Sequence, residues 1–299
     1  MLKRLKSLTP KEFTLKELVT LQWLPKWRWY DLPNYVLNQL TVGDHAICLE
    51  DLQYVESEYA EFARQQLDLY VPHQPRADRA VILFVHGGSW QYGNKRDYRF
   101  LAQSLAQSGF FVACMNYRLA PEHIYPDFVE DTILATNWLL DHSQSAEYGY
   151  NADKLILMGH SAGAFNISAA LYHPDFHVKI EREDAIHALI GIAGPYSFEH
   201  RGDPIAQFAL PQDIAPEHLM PNYYVQPNQI KHLLIVAGND TLVADSNTEK
   251  MVQSLKDIGN HVEVKRIART RHVNVIATLA EKFARFFPTK RLILDFIED

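Results

Sequence analysis

The stretch "LILMGHSAGAFNISAALYH", residues 155–173, begins as an apolar run and changes character at Gly159-His160-Ser161-Ala162-Gly163. Small residues at helical spacing follow, so the pattern predicts a strand that hands over to a helix around Ser161. The five residues fit G-x-S-x-G, in the strand-before, helix-after context that this motif requires. A turn this sharp leaves no room for side chains two residues before and after the serine, hence the glycines. It lifts the hydroxyl above the sheet edge beside a helix N-terminus, where unpaired N–H groups favour developing negative charge. Ser161 is the expected nucleophile.

Outward from this stretch, short β-rich apolar runs recur at 66–72, 80–88, 110–117, 154–161, 188–194, 232–238 and 261–267. Several are apolar throughout, as expected of strands covered on both faces. Helical patterns lie between them at 95–108, 127–142, 162–173, 246–258 and 273–287. This alternation predicts an α/β fold: a mostly parallel, doubly wound sheet with helices on both faces. Two regions stand outside it. Residues 1–45 precede the catalytic domain (46–299) as an arm dense in Trp, Tyr and Pro, a candidate cap. Residues 195–230 form a long connection of the kind used for lids and binding loops. Both are placed to cover the crevice at the carboxyl ends of the strands, where ligands bind in open α/β sheets.

A serine hydroxyl needs a base, and in this fold the chain order is Ser, acid, His. Of the histidines beyond Ser161, His272 alone lies just past the last strand and before the final helix. His261 and His232 open strands at the far end, His173, His177 and His187 lie before or at the start of an earlier strand, and His200 and His218 belong on the surface of the insertion. The acid is expected at a strand tip. In "HLLIVAGNDTLVADS" Asp240 follows the strand directly, whereas Asp245 reads as the N-cap of the next helix. Donors for an oxyanion are expected from His86-Gly87-Gly88-Ser89-Trp90, where another strand ends, and from the N–H of Ala162. Gly87, Gly88 and Ser89 all stay open as donors. His86 is expected to order the loop, and Trp90 and Tyr92 to contact substrate.

A net charge of −7 over 299 residues argues against a nucleic-acid surface. No apolar run reaches the roughly 20 residues of a membrane span, and the basic N-terminus lacks an apolar signal core. Its lysines could touch acidic lipid, but a solvated helical face is the favoured reading. Cys48 and Cys114 are too few and too far apart for a disulfide framework or metal site, so a cytoplasmic protein with buried thiols is expected.

With these residues in hand, the chain from about 66 to 287 resembles the α/β hydrolases, in particular the hormone-sensitive-lipase-like and kynurenine-formamidase-like serine esterases. The resemblance rests on "HGGSWQYGNK", "NYRLAPEHIYPDFVED", "GHSAG", the "GND" after the penultimate strand and the late His272. Ser89 stands where the lipase-like branch has a third glycine, and HGG-x-W is closer to the formamidase branch. By the same resemblance Arg118, Pro121 and Glu122 belong to a structural segment. It implies a Ser161–His272–Asp240 triad, an acyl-enzyme, no metal or cofactor, and a small-molecule ester or amide as partner, with a homodimer left open. A carboxylesterase for small or medium acyl esters leads. An arylformamidase and a non-catalytic ligand-binding homologue are the alternatives; a peptidase would need a substantial further domain.

Overall fold

The structure is a computed structural model that describes residues 36–39, 43–55, 64–177 and 179–298. Eight strands form one sheet: β1 (Ala46–Gln53), β2 (Gln66–Pro72), β3 (Ala80–Val85), β4 (Phe111–Met115), β5 (Asn151–His160), β6 (Ile186–Ile192), β7 (Lys231–Ala237) and β8 (Val262–Ile267). Their spatial order is β1-β2-β4-β3-β5-β6-β7-β8. β1 and β2 run antiparallel to their neighbours, and β4, β3 and β5–β8 run parallel. Beyond a helical turn at 36–39, the α-helices among the described residues are α1 (Arg99–Ala106), α2 (Asp127–Asp141), α3 (Ala162–Tyr172), α4 (Pro174–His177), α5 (Asp245–Asp257), α6 (Glu281–Ala284) and α7 (Thr289–Glu298).

The uninterrupted apolar runs have the expected cause. Every residue of β3 and β4 is buried, and successive side chains of a strand point to opposite faces. Val81, Leu83 and Val85 therefore join one core layer with Leu139 of α2 and Phe165 of α3. Ile82 and Phe84 join the other, with Phe100 of α1 and Phe296 of α7. Each such side chain contributes roughly 1.5–3 kcal/mol by leaving water. The two layers clamp the central strands, and this rigid slab sets where the strand tips lie.

The structure corrects several expectations. β1 carries no clear sequence signal, because its edge position leaves most of its residues half-buried or exposed. The helix expected over 273–287 is a 3₁₀ turn (Ile276–Leu279) followed by the one-turn α6. The break falls at Ala280, which is extended (φ −61°, ψ 137°). Asp245 does not cap α5. It is the helix's first residue, Ala244 holds the cap position, and the Asp245 carboxylate pairs with Arg266 at 2.7 Å. His200 is fully buried, with Nε2 2.9 Å from the Pro211 carbonyl. The first 35 residues of the arm proposed as a cap lie outside the described residues.

Candidate active site

The tips of β3, β5, β6, β7 and β8 share one rim, and the backbone there is strained. Ser89, Trp90, Ser161 and Ala193 have φ between 50° and 58°, in the left-handed region that residues with a Cβ avoid. Such strain collects at functional sites. At the far rim, Arg79 and Gln144 also have positive φ (53° and 60°).

Ser161 adopts φ 52°, ψ −120° between β5 and α3. A serine at a helix start normally accepts an N–H from the first turn. Here the side chain makes no capping bond; the elbow is held through the backbone instead, by Ser161 N–H donating to Ile192 O at 2.8 Å. Both flanking glycines are required, but for different reasons. A Cβ on Gly159 would sit 2.4 Å from the Gly163 carbonyl oxygen, the collision anticipated from sequence. A Cβ on Gly163 would sit 2.0 Å from the carbonyl oxygen of Val85, on the neighbouring strand. Gly163→Ala is expected to cost about 3 kcal/mol, since only backbone can yield there. A denaturant midpoint unchanged from the parent would refute it.

His272 lies just beyond β8. Its Nε2 is 2.7 Å from Ser161 Oγ and its Nδ1 is 2.8 Å from Asp240 Oδ2. A carboxylate only accepts, so Nδ1 carries the proton and Nε2 is free to accept the serine hydroxyl. Asp240, at the tip of β7, also accepts the N–H groups of Leu242 and Val243 on Oδ1, at 2.9 and 3.0 Å. Burial raises the Asp240 pKa, but the His272 hydrogen bond and these backbone donors outweigh it and hold the carboxyl below the ordinary aspartate range. The three side chains are nearly closed off from solvent.

Two residues that sequence reasoning missed fix this geometry. Thr270 bridges the β7 and β8 tips: Asn239 N–H donates to its carbonyl at 2.8 Å and Gly238 N–H to its hydroxyl at 3.2 Å. His160, beside the serine, places Nε2 3.0 Å from the His272 carbonyl. Burial, then the neighbouring His272, push its pKa down to about 3, so it donates as a neutral ring.

The Gly87–Ser89 turn faces Ser161: a Cβ on Gly87 would lie 3.1 Å from that of Ser161. Gly88 has φ +130°, and a Cβ there would meet the Tyr92 carbonyl at 2.2 Å. Its own carbonyl closes the turn by accepting Gln91 and Tyr92 N–H. No acceptor engages the N–H groups of Gly88, Ser89 or Ala162 among the described residues. Trp90 is an anchor as well as part of the cavity lining. It is 3% exposed, donates its indole N–H to Asn166 Oδ1 at 2.9 Å and packs between Phe128 and Phe165.

Over Ser161 opens a cavity of about 270 Å³. Its lining includes Ser89, Trp90, Ser161 and Ala162, apolar Phe198 and Ile205 with acidic Glu199 and Asp203 from the 195–230 insertion, and Leu242 and Val243 of the β7–α5 loop. Tyr92 is not among the lining residues. Arg118, from the "YRLAPEH" segment, instead pairs with buried Asp131 at 2.9 Å.

Sheet order and the sharp elbow between β5 and α3 give this chain the α/β-hydrolase fold. The BD-FAE family model matches residues 67–200. A probable isoprenylcysteine α-carbonyl methylesterase (ICMEL1) of Arabidopsis thaliana is 27% identical over 229 residues, which cover 69% of this chain and 48% of that protein. This chain thus spans about half the length of that relative. The kynurenine formamidase of Danio rerio is 22% identical, over 96% of this chain and 97% of its own. Among solved structures, an inhibited esterase B of Lactobacillus rhamnosis superposes with a TM-score of 0.71 at 18% identity, covering 90% of this chain and 89% of that one. Among the described residues no helix is long and apolar enough to cross a membrane.

Proposed function

We propose that the protein is a serine carboxylesterase acting on small or medium acyl esters through an acyl-enzyme. The observation that carries this reading is the unbroken pair of hydrogen bonds from Asp240 through His272 to Ser161. In the proposed reaction His272 takes the Ser161 proton as Oγ attacks the carbonyl carbon. The N–H groups of the Gly87–Ser89 turn and of Ala162 receive the oxyanion, and His272 protonates the departing alcohol. Water then repeats the cycle and releases the acid. The ionised Asp240 keeps the imidazole in the productive tautomer and stabilises its protonated form. The 195–230 insertion serves as a wall and lid over the acyl group. A cavity of about 270 Å³ suits a short or medium acyl chain or one aromatic ring, given that roughly 150 Å³ already accepts benzene.

A formamidase acting on an N-formyl aromatic amine is the second reading. It is favoured by the end-to-end match with the fish formamidase, where the plant methylesterase matches over half its length. The same site would serve it, with an amine as leaving group. Purified protein assayed with p-nitrophenyl acetate, p-nitrophenyl butyrate and N-formylkynurenine separates the two. Higher kcat/KM on an ester is expected; faster turnover of the formamide would reverse the assignment. A folded protein that turns over none of them and is not labelled at Ser161 by a fluorophosphonate would be a binding homologue.

A further inference from the structure

The turn that faces Ser161 is braced from behind by a cation outside the motifs. Arg64 lies just before β2, and its guanidinium reaches three parts of the turn's frame. Nε donates to the Tyr117 carbonyl at 2.8 Å, beyond the tip of β4. One terminal nitrogen donates to the Gly93 carbonyl at 2.9 Å, where the turn closes, and lies 3.4 Å from His86 Nε2. His86 is completely buried and stacked on Tyr117 at 4.4 Å between ring centres, and the Tyr117 hydroxyl donates to the His86 carbonyl at 3.0 Å. On its other side, His86 Nδ1 is 2.7 Å from the Gly87 carbonyl.

The proton positions follow from the partners. A carbonyl only accepts, so Nδ1 carries the hydrogen; Nε2 is then bare and faces an Arg64 N–H. Burial, then the Arg64 charge, push the His86 pKa down to about 3, which keeps the ring neutral. The Gly87 carbonyl belongs to the same planar peptide as the Gly88 N–H, and in a trans peptide the two point in opposite directions. A donor fixed on that oxygen orients this N–H, and a chain of hydrogen bonds polarises each member in turn.

We infer that Arg64 is a positioning residue for the oxyanion turn, aiming the Gly87–Gly88 peptide through the ring of His86. The inference rests on the esterase reading above. It predicts a defect seen when negative charge forms on the substrate oxygen and not when substrate binds. Arg64→Met is expected to lower ester kcat by about 10-fold or more, short of the 10²–10³ that follows outright loss of a donor, with KM within about 3-fold. Affinity for a trifluoromethyl ketone analogue of the ester, which builds an oxyanion on Ser161, should fall by the same factor as kcat/KM. His86→Leu should behave alike. The double variant should fall well short of the product of the two single losses, because Arg64 acts on the peptide through His86, and His86→Asn, which retains an N–H for the Gly87 carbonyl, should recover much of the loss. If Arg64→Met does not fold, Arg64→Lys, with one charge and no fork, carries the same comparison and is expected to lie between. Unchanged ketone affinity in the Arg64 variant, or losses that multiply in the double variant, would overturn the inference and leave Arg64 a packing residue. Fluorophosphonate labelling of Ser161 in the parent protein tests the underlying reading separately.

Discussion

Ser161→Ala is expected to abolish ester turnover, lowering kcat by on the order of 10⁴–10⁶-fold, while the protein folds as before. Residues that act as a unit lose nearly everything when the nucleophile goes; what survives comes from oxyanion donors and binding. The fold should be indifferent because the hydroxyl holds nothing together. It does not cap α3, and its hydrogen bond is to His272. Alanine keeps the Cβ, so the strain at φ 52° is the same in both proteins. KM for an ester should change little, since the cavity walls are intact. A variant retaining more than about a hundredth of the parent's kcat would exclude Ser161 as nucleophile; the measurement is initial-rate kinetics beside a thermal melt.

Asp240→Asn is expected to lower kcat by about 10⁴-fold through the tautomer of His272. The direction follows from the carboxylate's surroundings. Oδ1 accepts two backbone N–H groups, from Leu242 and Val243. An amide at this position must keep its oxygen there and turn its NH₂ toward His272 Nδ1. Nδ1 would then have to accept, the ring proton would move to Nε2, and the serine would lose its base. The same substitution has a signature in stability. The Asp240 pKa is lowered in the folded protein, so its ionised form contributes stability that is fully present above the unfolded value, about 3.9. That contribution is lost as pH falls through the lower, folded value. Denaturation midpoints of the parent should therefore decline more steeply than those of Asp240→Asn below about pH 4. Parallel curves would mean that Asp240 is not the carboxylate His272 depends on.

Much of this is legible in the sequence, for physical reasons that differ from part to part. The central strands can be read because two-sided burial demands unbroken apolar runs, and β3 and β4 are buried at every position. The elbow can be read because its geometry allows only glycine at 159 and 163. His272 and Asp240 can be chosen because a strand tip in a parallel sheet is a predictable place; His272 lies against Ser161, with Asp240 behind it. The supporting residues cannot be found this way. Thr270 and His160 act through backbone groups, and a hydrogen bond to a peptide unit leaves no requirement on the partner's identity. Arg64 meets three chain segments far from it in sequence, and only the folded topology brings them together. Over 273–287 the apolar spacing is genuine, yet the chain turns extended at Ala280, a break that spacing does not encode. Trp90 lines the cavity as expected of a substrate contact, but its second task, fastening the turn to α3 through Asn166, leaves no mark in the sequence.

The left-handed residues at Ser89, Trp90, Ser161 and Ala193 bear on any thermal hardening of this protein. Under the esterase reading, rotational tension at that edge is part of how the reacting atoms are presented, so relaxing it with glycine would loosen the groups that must hold still. The opposite edge carries comparable tension at Arg79 and Gln144, at the other end of the strands from Ser161. Gln144, exposed and left-handed, is the place to begin: glycine fits its backbone without complaint, and the working edge would not notice the exchange.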